Sequence, residues 1–180
     1  KVGAELTNLN HSSLYLPTGI MKPSLVKWLD ASNGCTGATG PCPRATGTAQ
    51  MVLRGPLHHF PFADHSGLMD IRGQLHGLTL NYLPLWPQLQ HLDVDCQFTQ
   101  EGFRITSTHG DNGSIPIESI EAVLPHYAAP ATLQIKALTT ADLSQGIYFI
   151  QHSPLKTPLA ALATSISKGP FNLKLNLNIP

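Results

Sequence analysis

Residues Asn81 to Ile105, NYLPLWPQLQHLDVDCQFTQEGFRI, decide how the chain is read. Tyr82-Leu83-Pro84-Leu85-Trp86-Pro87 is an aromatic corner, with prolines that fix the backbone on both sides of Trp86. Leu92, Val94, Cys96 and Phe98 then alternate with polar residues, the period of a strand with one apolar face. Gln100-Glu101-Gly102 is a turn, after which Phe103 and Ile105 resume the alternation. The stretch is a β-hairpin hung from a rigid corner. Tyr82, Pro84, Trp86 and Pro87 are expected to be structural, because Trp and Tyr in such a setting plug the end of a core. Nothing in the stretch marks a catalytic centre.

The same period recurs on both sides of the hairpin. Val2 to Leu9 alternates, with Val2, Ala4 and Leu6 on one face, and Thr48 to Leu53 resumes strand character. From Gly67 to Tyr82 the pattern runs in two registers, Met69, Ile71 and Leu75 and then Leu78, Leu80 and Tyr82, with a β-bulge expected at Gly77. Asp111-Asn112-Gly113 is a tight turn into a predicted strand from Ser114 to Leu124, and Thr132 to Leu138 is another, with Leu133 and Ile135 aligned. The cleanest strand is Phe171 to Ile179, where every odd residue is apolar and every even one polar. Helical spacing is confined to Pro23–Ser32, Asp142–His152 and Pro158–Ser167. The result is a mainly β chain: seven or eight mostly antiparallel strands and two or three short helices. Such a sheet closes into a sandwich or barrel, or stays open and curved as a groove or half-barrel whose apolar face lines it.

Burying Phe171, Leu173, Leu175, Leu177 and Ile179 is worth ~1.5 to 3 kcal/mol each, so leaving them wet would forgo ~8 to 15 kcal/mol. That matches the whole stability of a typical domain. Their face must be covered by the chain's own core, by a following repeat, or by a lipid.

Composition removes several classes. Hydrophobic residues make up 42% and charged residues 12%, with a formal net charge of zero. The eleven Lys and Arg are scattered singly, so no nucleic-acid footprint exists. No apolar run approaches the ~18 to 20 residues of a membrane span. Cys35, Cys42 and Cys96 form no C-x2-C pair. Cys35 and Cys42 bracket a Gly/Pro-rich loop, residues 33–47, and are the disulfide candidate for an oxidising compartment, since a loop with so little to pack gains from a staple. Cys96, on the apolar face of its strand, is expected to be an inert thiol. His58, His59, Asp64 and His65 crowd a Pro- and Phe-rich loop without a rigid ligand spacing, which reads as a polar sheet edge, and no metal is assigned. No Gly-x-Ser-x-Gly and no His-Glu-x-x-His is present, and no catalytic residue or cofactor is assigned.

Tyr15-Leu16-Pro17, Lys22-Pro23 to Trp28-Leu29, Leu53-Arg54-Gly55-Pro56-Leu57 with Phe60-Pro61-Phe62, Leu80-Asn81-Tyr82 to Trp86-Pro87, and Phe98 to Ile105 follow one another in a familiar order. With Ser153-Pro154-Leu155 and Gly169-Pro170 to Ile179-Pro180, that order resembles the YhdP branch of the AsmA-like proteins of Gram-negative bacteria. The resemblance covers nearly the whole chain and departs from the pattern at Cys35 to Gly47. It implies an internal segment, residues 1–180, of a long inner-membrane-anchored protein that exposes a repetitive β-groove to the periplasm. It also implies phospholipid carried between inner and outer membrane with no chemical step.

On that reading the lipid-contacting face carries Met69, Ile71, Leu92, Val94, Phe98, Leu133, Ile135, Leu173, Leu175 and Leu177. The partners are phospholipid, neighbouring repeats of the same chain and an envelope protein, and no nucleic acid. Eight strands ~4.8 Å apart span roughly 40 Å, little more than one ~30 Å hydrocarbon core, so this length supplies one stretch of a conduit. The competing reading is a structural or interaction domain whose apolar face is closed by its own helices.

Overall fold

The computed structural model describes residues 2–7 (backbone path), 45–60, 62, 64–82, 84–164 and 168–180. Eight strands follow one another in a single sheet in chain order. They are β1 (Val2–Thr7), β2 (Thr46–Arg54), β3 (Leu68–Leu80), β4 (Leu89–Thr99), β5 (Phe103–Ser107), β6 (Ser119–Leu124), β7 (Leu133–Asp142) and β8 (Pro170–Ile179). Each pairs antiparallel with its sequence neighbour, and β1 and β8 are the two edges. The sheet is therefore an open meander, which decides between the two architectures left by the alternation. Among the described residues helix is limited to α1 (Leu143–Gln151), α2 (Ala160–Ala163) and single 3-10 turns at Leu57–His59 and Pro154–Lys156.

The bulge falls where glycine allows it. Leu75 pairs with Val94 and Leu78 with Leu92, so β3 carries one extra residue between them, and Gly77 takes a φ of 69°. A compensating shift on β4 separates Leu92 from Leu89 and places His91 at φ 54°. Leu78, Leu80, Leu89 and Leu92 are thereby returned to the face of Leu75 and Val94.

Three expectations are corrected. The predicted strand from Ser114 begins only at Ser119, because the Asn112 side chain accepts the N–H groups of Ser114 and Ile115 and folds this stretch into a loop. Within the described part of the Pro158–Ser167 helix, which excludes 165–167, helix is confined to one turn at Ala160–Ala163, with no side-chain cap at its start. Thr46 and Gly47, read as loop, open β2, where Gly47 pairs with Leu75. The Cys35–Cys42 pairing and the Pro23–Ser32 helix lie outside the described residues.

Three described connections leave the same end of the sheet: the aromatic corner after β3, the loop after β5 and the α1–α2 excursion after β7. At the opposite end the β2–β3 loop closes on Phe62, which is fully buried at φ 66° with its ring against Gly55 and Gly67. A methyl at Gly67 would come within 2.8 Å of that ring, so the plug needs both glycines.

Candidate functional site

Residues directly opposite each other across an antiparallel pair share a face, so the pairing register assigns every side chain to one side of the sheet. From β2 to β8 one row reads Ala49, Gly73, Cys96, Ile105, Ala122, Ile135 and Leu177. The row beside it reads Leu75, Val94, Ser107, Ile120, Ala137 and Leu175, and the one on its other side Met51, Ile71, Phe98, Phe103 and Leu124. Ser107 is the single polar side chain among them, and it turns its hydroxyl onto the His109 carbonyl at 2.8 Å. All ten residues selected from the alternation, Met69, Ile71, Leu92, Val94, Phe98, Leu133, Ile135, Leu173, Leu175 and Leu177, fall on this face.

Its exposure is graded. Met69, Leu92 and Val94 are buried; Ile71, Phe98, Leu133 and Ile135 are half-buried. On β8, Leu173, Leu175, Leu177 and Ile179 keep 37–46% of their surface in water. Phe98 and Phe103 stand side by side across the hairpin with ring centroids 5.6 Å apart.

The opposite face is mainly polar, with rows Gln50, Arg72, Gln97, Arg104, Val123, Gln134 and Asn178, and Thr48, Gln74, Asp95, Thr106, Glu121, Lys136 and Asn176, and with Val52, Val123 and Leu138 as apolar members. Its charges are internally matched: Arg72 with Asp70 at 3.2 Å, Lys136 with Glu121 at 3.7 Å, and Arg104 with the same Glu121. Gln74 donates to Asp95 at 2.8 Å. A depression of about 400 Å³ over β2–β5 is lined by this array, and the pairing of its charges makes it a solvated outer face.

The histidines take local partners: His59 meets Asp64 at 2.5 Å, His76 meets Asp93 at 3.2 Å and His91 meets Asp111 at 2.8 Å. Hydrogen bonds from Ser66, and then from His59, hold the Asp64 carboxyl well below the usual carboxylate range. Among the described residues no group of three or more His, Cys, Asp or Glu is arranged to hold a metal ion. Burial pushes the Cys96 thiol up, which keeps it protonated and unreactive.

The aromatic corner is where the sequence places it: Tyr82 and Trp86 rings lie 6.2 Å apart, and Trp86 meets Phe149 of α1 at 6.0 Å. Pro84 is exposed and Pro87 half-buried. The ten-residue selection left out Met51, Leu75, Ile105, Ile120, Ala122 and Ala137, although alternation had already aligned Leu75 with Met69 and Ile71, and Ile105 with Phe103. The signal was present in β2, where Ala49, Met51 and Leu53 alternate, but Val52 between them obscures it. Among the described residues no helix is long and apolar enough to cross a membrane.

No solved structure matches the chain. The intermembrane phospholipid transporter YhdP of Escherichia coli (strain K12) is 27% identical over 167 residues, which cover 92% of this chain and 12% of that protein. The chain thus spans only a small part of this relative's length. The family model described as YhdP protein matches residues 1–180, from the first residue to the last, and on that match the chain belongs to the YhdP family.

Proposed function

We propose that this chain is one segment of a lipid-transfer conduit in the cell envelope, in which phospholipid acyl chains travel along the apolar sheet face while head groups stay in water. The observation that carries the reading is the nearly continuous apolar face of an open sheet, on which Ser107 and Thr139 turn their hydroxyls onto backbone carbonyls, still 37–46% exposed along β8. The E. coli relative, an intermembrane phospholipid transporter, supplies the cargo class. Transfer of this kind needs no catalytic residue. Further strands of the same polypeptide would extend the face beyond residues 1–180, and the periplasm is the compartment such a path crosses.

A photo-crosslinker at Leu175 in cells is expected to capture phospholipid, whereas one at Lys174, on the polar face beside it, is not. Crosslinks from Leu175 to protein alone would overturn the proposal. Val94, on the same face but buried, is expected to capture less than Leu175. The burial of Met69, Leu92 and Val94 is what favours the second reading, a closed domain that docks an envelope protein. Equal, lipid-free crosslinking at Val94 and Leu175 is its signature.

A further inference from the structure

The chain leaves the sheet at Asp142 and returns at Pro170, and the two ends of this excursion are tied together. The Leu143 N–H donates to the Gly169 carbonyl at 2.9 Å, and the Gly169 N–H donates to the Asp142 carboxylate at 3.0 Å. Beyond that neck, one turn of α1 makes three distant contacts. Gln145 donates to the Ser114 carbonyl of the β5–β6 loop at 2.7 Å. Gly146 lies against Phe171 of β8, so closely that a methyl there would sit 3.3 Å from the ring. The Phe149 ring packs tilted, at 48°, against Trp86 of the β3–β4 corner, with centroids 6.0 Å apart.

Residues 145 to 149 rise only about 6 Å along a helix, whereas β4 and β8 are four strands, or about 19 Å, apart in a flat sheet. A single helical turn therefore gathers points from across half of the sheet end. Its hold is light: no residue of α1 is buried, and Leu143 and Tyr148 are exposed. An element with so few buried contacts belongs to the least stable parts of a fold. Phe171, which it covers, is the first member of the β8 row whose next four members are open.

We propose that α1 is a releasable strap across this end of the apolar face, closed while Phe149 rests on Trp86 and open to an acyl chain when it lifts on its Asp142–Gly169 neck. The proposal rests on the reading of that face as a lipid path. It makes Phe149 and Gln145 control points for lipid entry.

The test uses the full chain with its three cysteines replaced by alanine and Ser114→Cys with Gln145→Cys, bridged by a reductant-cleavable thiol crosslinker. Uptake of pyrene-labelled phosphatidylethanolamine from phosphatidylethanolamine/phosphatidylglycerol vesicles is the readout. The bridged form is expected to take up lipid at least tenfold more slowly, with recovery on reduction. Phe149→Ala, which frees the strap without a bridge, is expected to speed uptake threefold or more. Equal rates in bridged and reduced forms, with Phe149→Ala at the wild-type rate, overturn the strap but leave the lipid path standing. No uptake by the unmodified chain overturns the lipid path and the strap with it.

Discussion

Gly102 and Tyr127 show how much one position can decide. The Thr99 N–H donates to the Gly102 carbonyl at 2.8 Å, the Tyr127 N–H to the Glu101 carbonyl at 2.7 Å, and the Tyr127 hydroxyl to Gly102 at 3.2 Å. A methyl on Gly102 would overlap the Leu124 carbonyl oxygen, which is backbone and cannot rotate away. Gly102→Ala is therefore expected to cost about 3 kcal/mol, lowering the melting temperature by roughly 6 to 12 °C. Gly113, at φ 82° with open space around it, pays only the left-handed cost of about 1 kcal/mol on substitution by alanine. Comparing the two melting curves separates clash from conformation. Burial pushes the Tyr127 phenol up to about 12. A phenol raised above its ordinary value stabilises the fold below about pH 10 and loses that contribution as pH rises through 12. An absorbance titration should show a late-ionising phenol that Tyr127→Phe removes; an unchanged curve would refute this. The glycine was legible in the sequence as the end of Gln100-Glu101-Gly102. Its tyrosine partner, 25 residues on, was not, because local pattern carries no information about which loop a ring will reach. Phe62, read only as part of a Pro- and Phe-rich loop, was illegible as a plug for a different reason: nothing in the local pattern announces an aromatic residue at positive φ.

Single elements were read correctly where their own residues close their hydrogen bonds. Asp142 caps α1 by accepting from the Ser144 N–H at 2.8 Å, while Gln145 reaches back to the Asp142 N–H at 2.8 Å. This reciprocal box lies in Asp142-Leu143-Ser144-Gln145, at the start that the helical spacing of Leu143, Ile147 and Ile150 had marked. The failure at Ser114–Glu118 has the converse cause. Ile115 and Ile117 supply strand alternation, but the Asn112 side chain competes for the same backbone donors and wins. The α1 cap also sets a pH dependence. Hydrogen bonds from the Ser144 hydroxyl and N–H, then from Gly169, hold the Asp142 carboxyl below its ordinary value of 3.8. A depressed carboxyl contributes fully above its unfolded value, about 3.9, and the contribution is lost as pH falls through the lower folded value. Protection of the amides at residues 143–151, measured against their intrinsic exchange rates, is expected to fall below about pH 4, ahead of the central strands. Asp142→Asn should flatten that dependence, and identical acid profiles in both proteins would show that the carboxylate does not hold the neck.

At the scale of the molecule, pairing register turned scattered apolar residues into one face, and that step needed the structure. Alternation gives parity within a strand but not which parity of the next strand lies beside it, and the bulge at Gly77 reverses it once more. Strand β8 escaped the difficulty because its five apolar residues leave no ambiguity, and it shows what an open sheet costs. Leu173, Leu175, Leu177 and Ile179 retain about two-fifths of their surface, so covering them is worth roughly 0.6 to 1.2 kcal/mol each, or about 2 to 5 kcal/mol together. Beyond β8 no strand is paired among the described residues, so its outer backbone N–H and C=O groups are free to template another strand. Residues 1–180 in isolation are therefore expected to associate reversibly through this edge, at concentrations that sedimentation velocity can sample. Leu175→Lys with Leu177→Lys places charge in the middle of the row without touching β7 backbone pairing, and should weaken association tenfold or more. Phospholipid micelles should compete with the association if the row binds acyl chains, whereas a salt-sensitive dimer indifferent to both the lysines and the micelles would move the contact to the charged outer face.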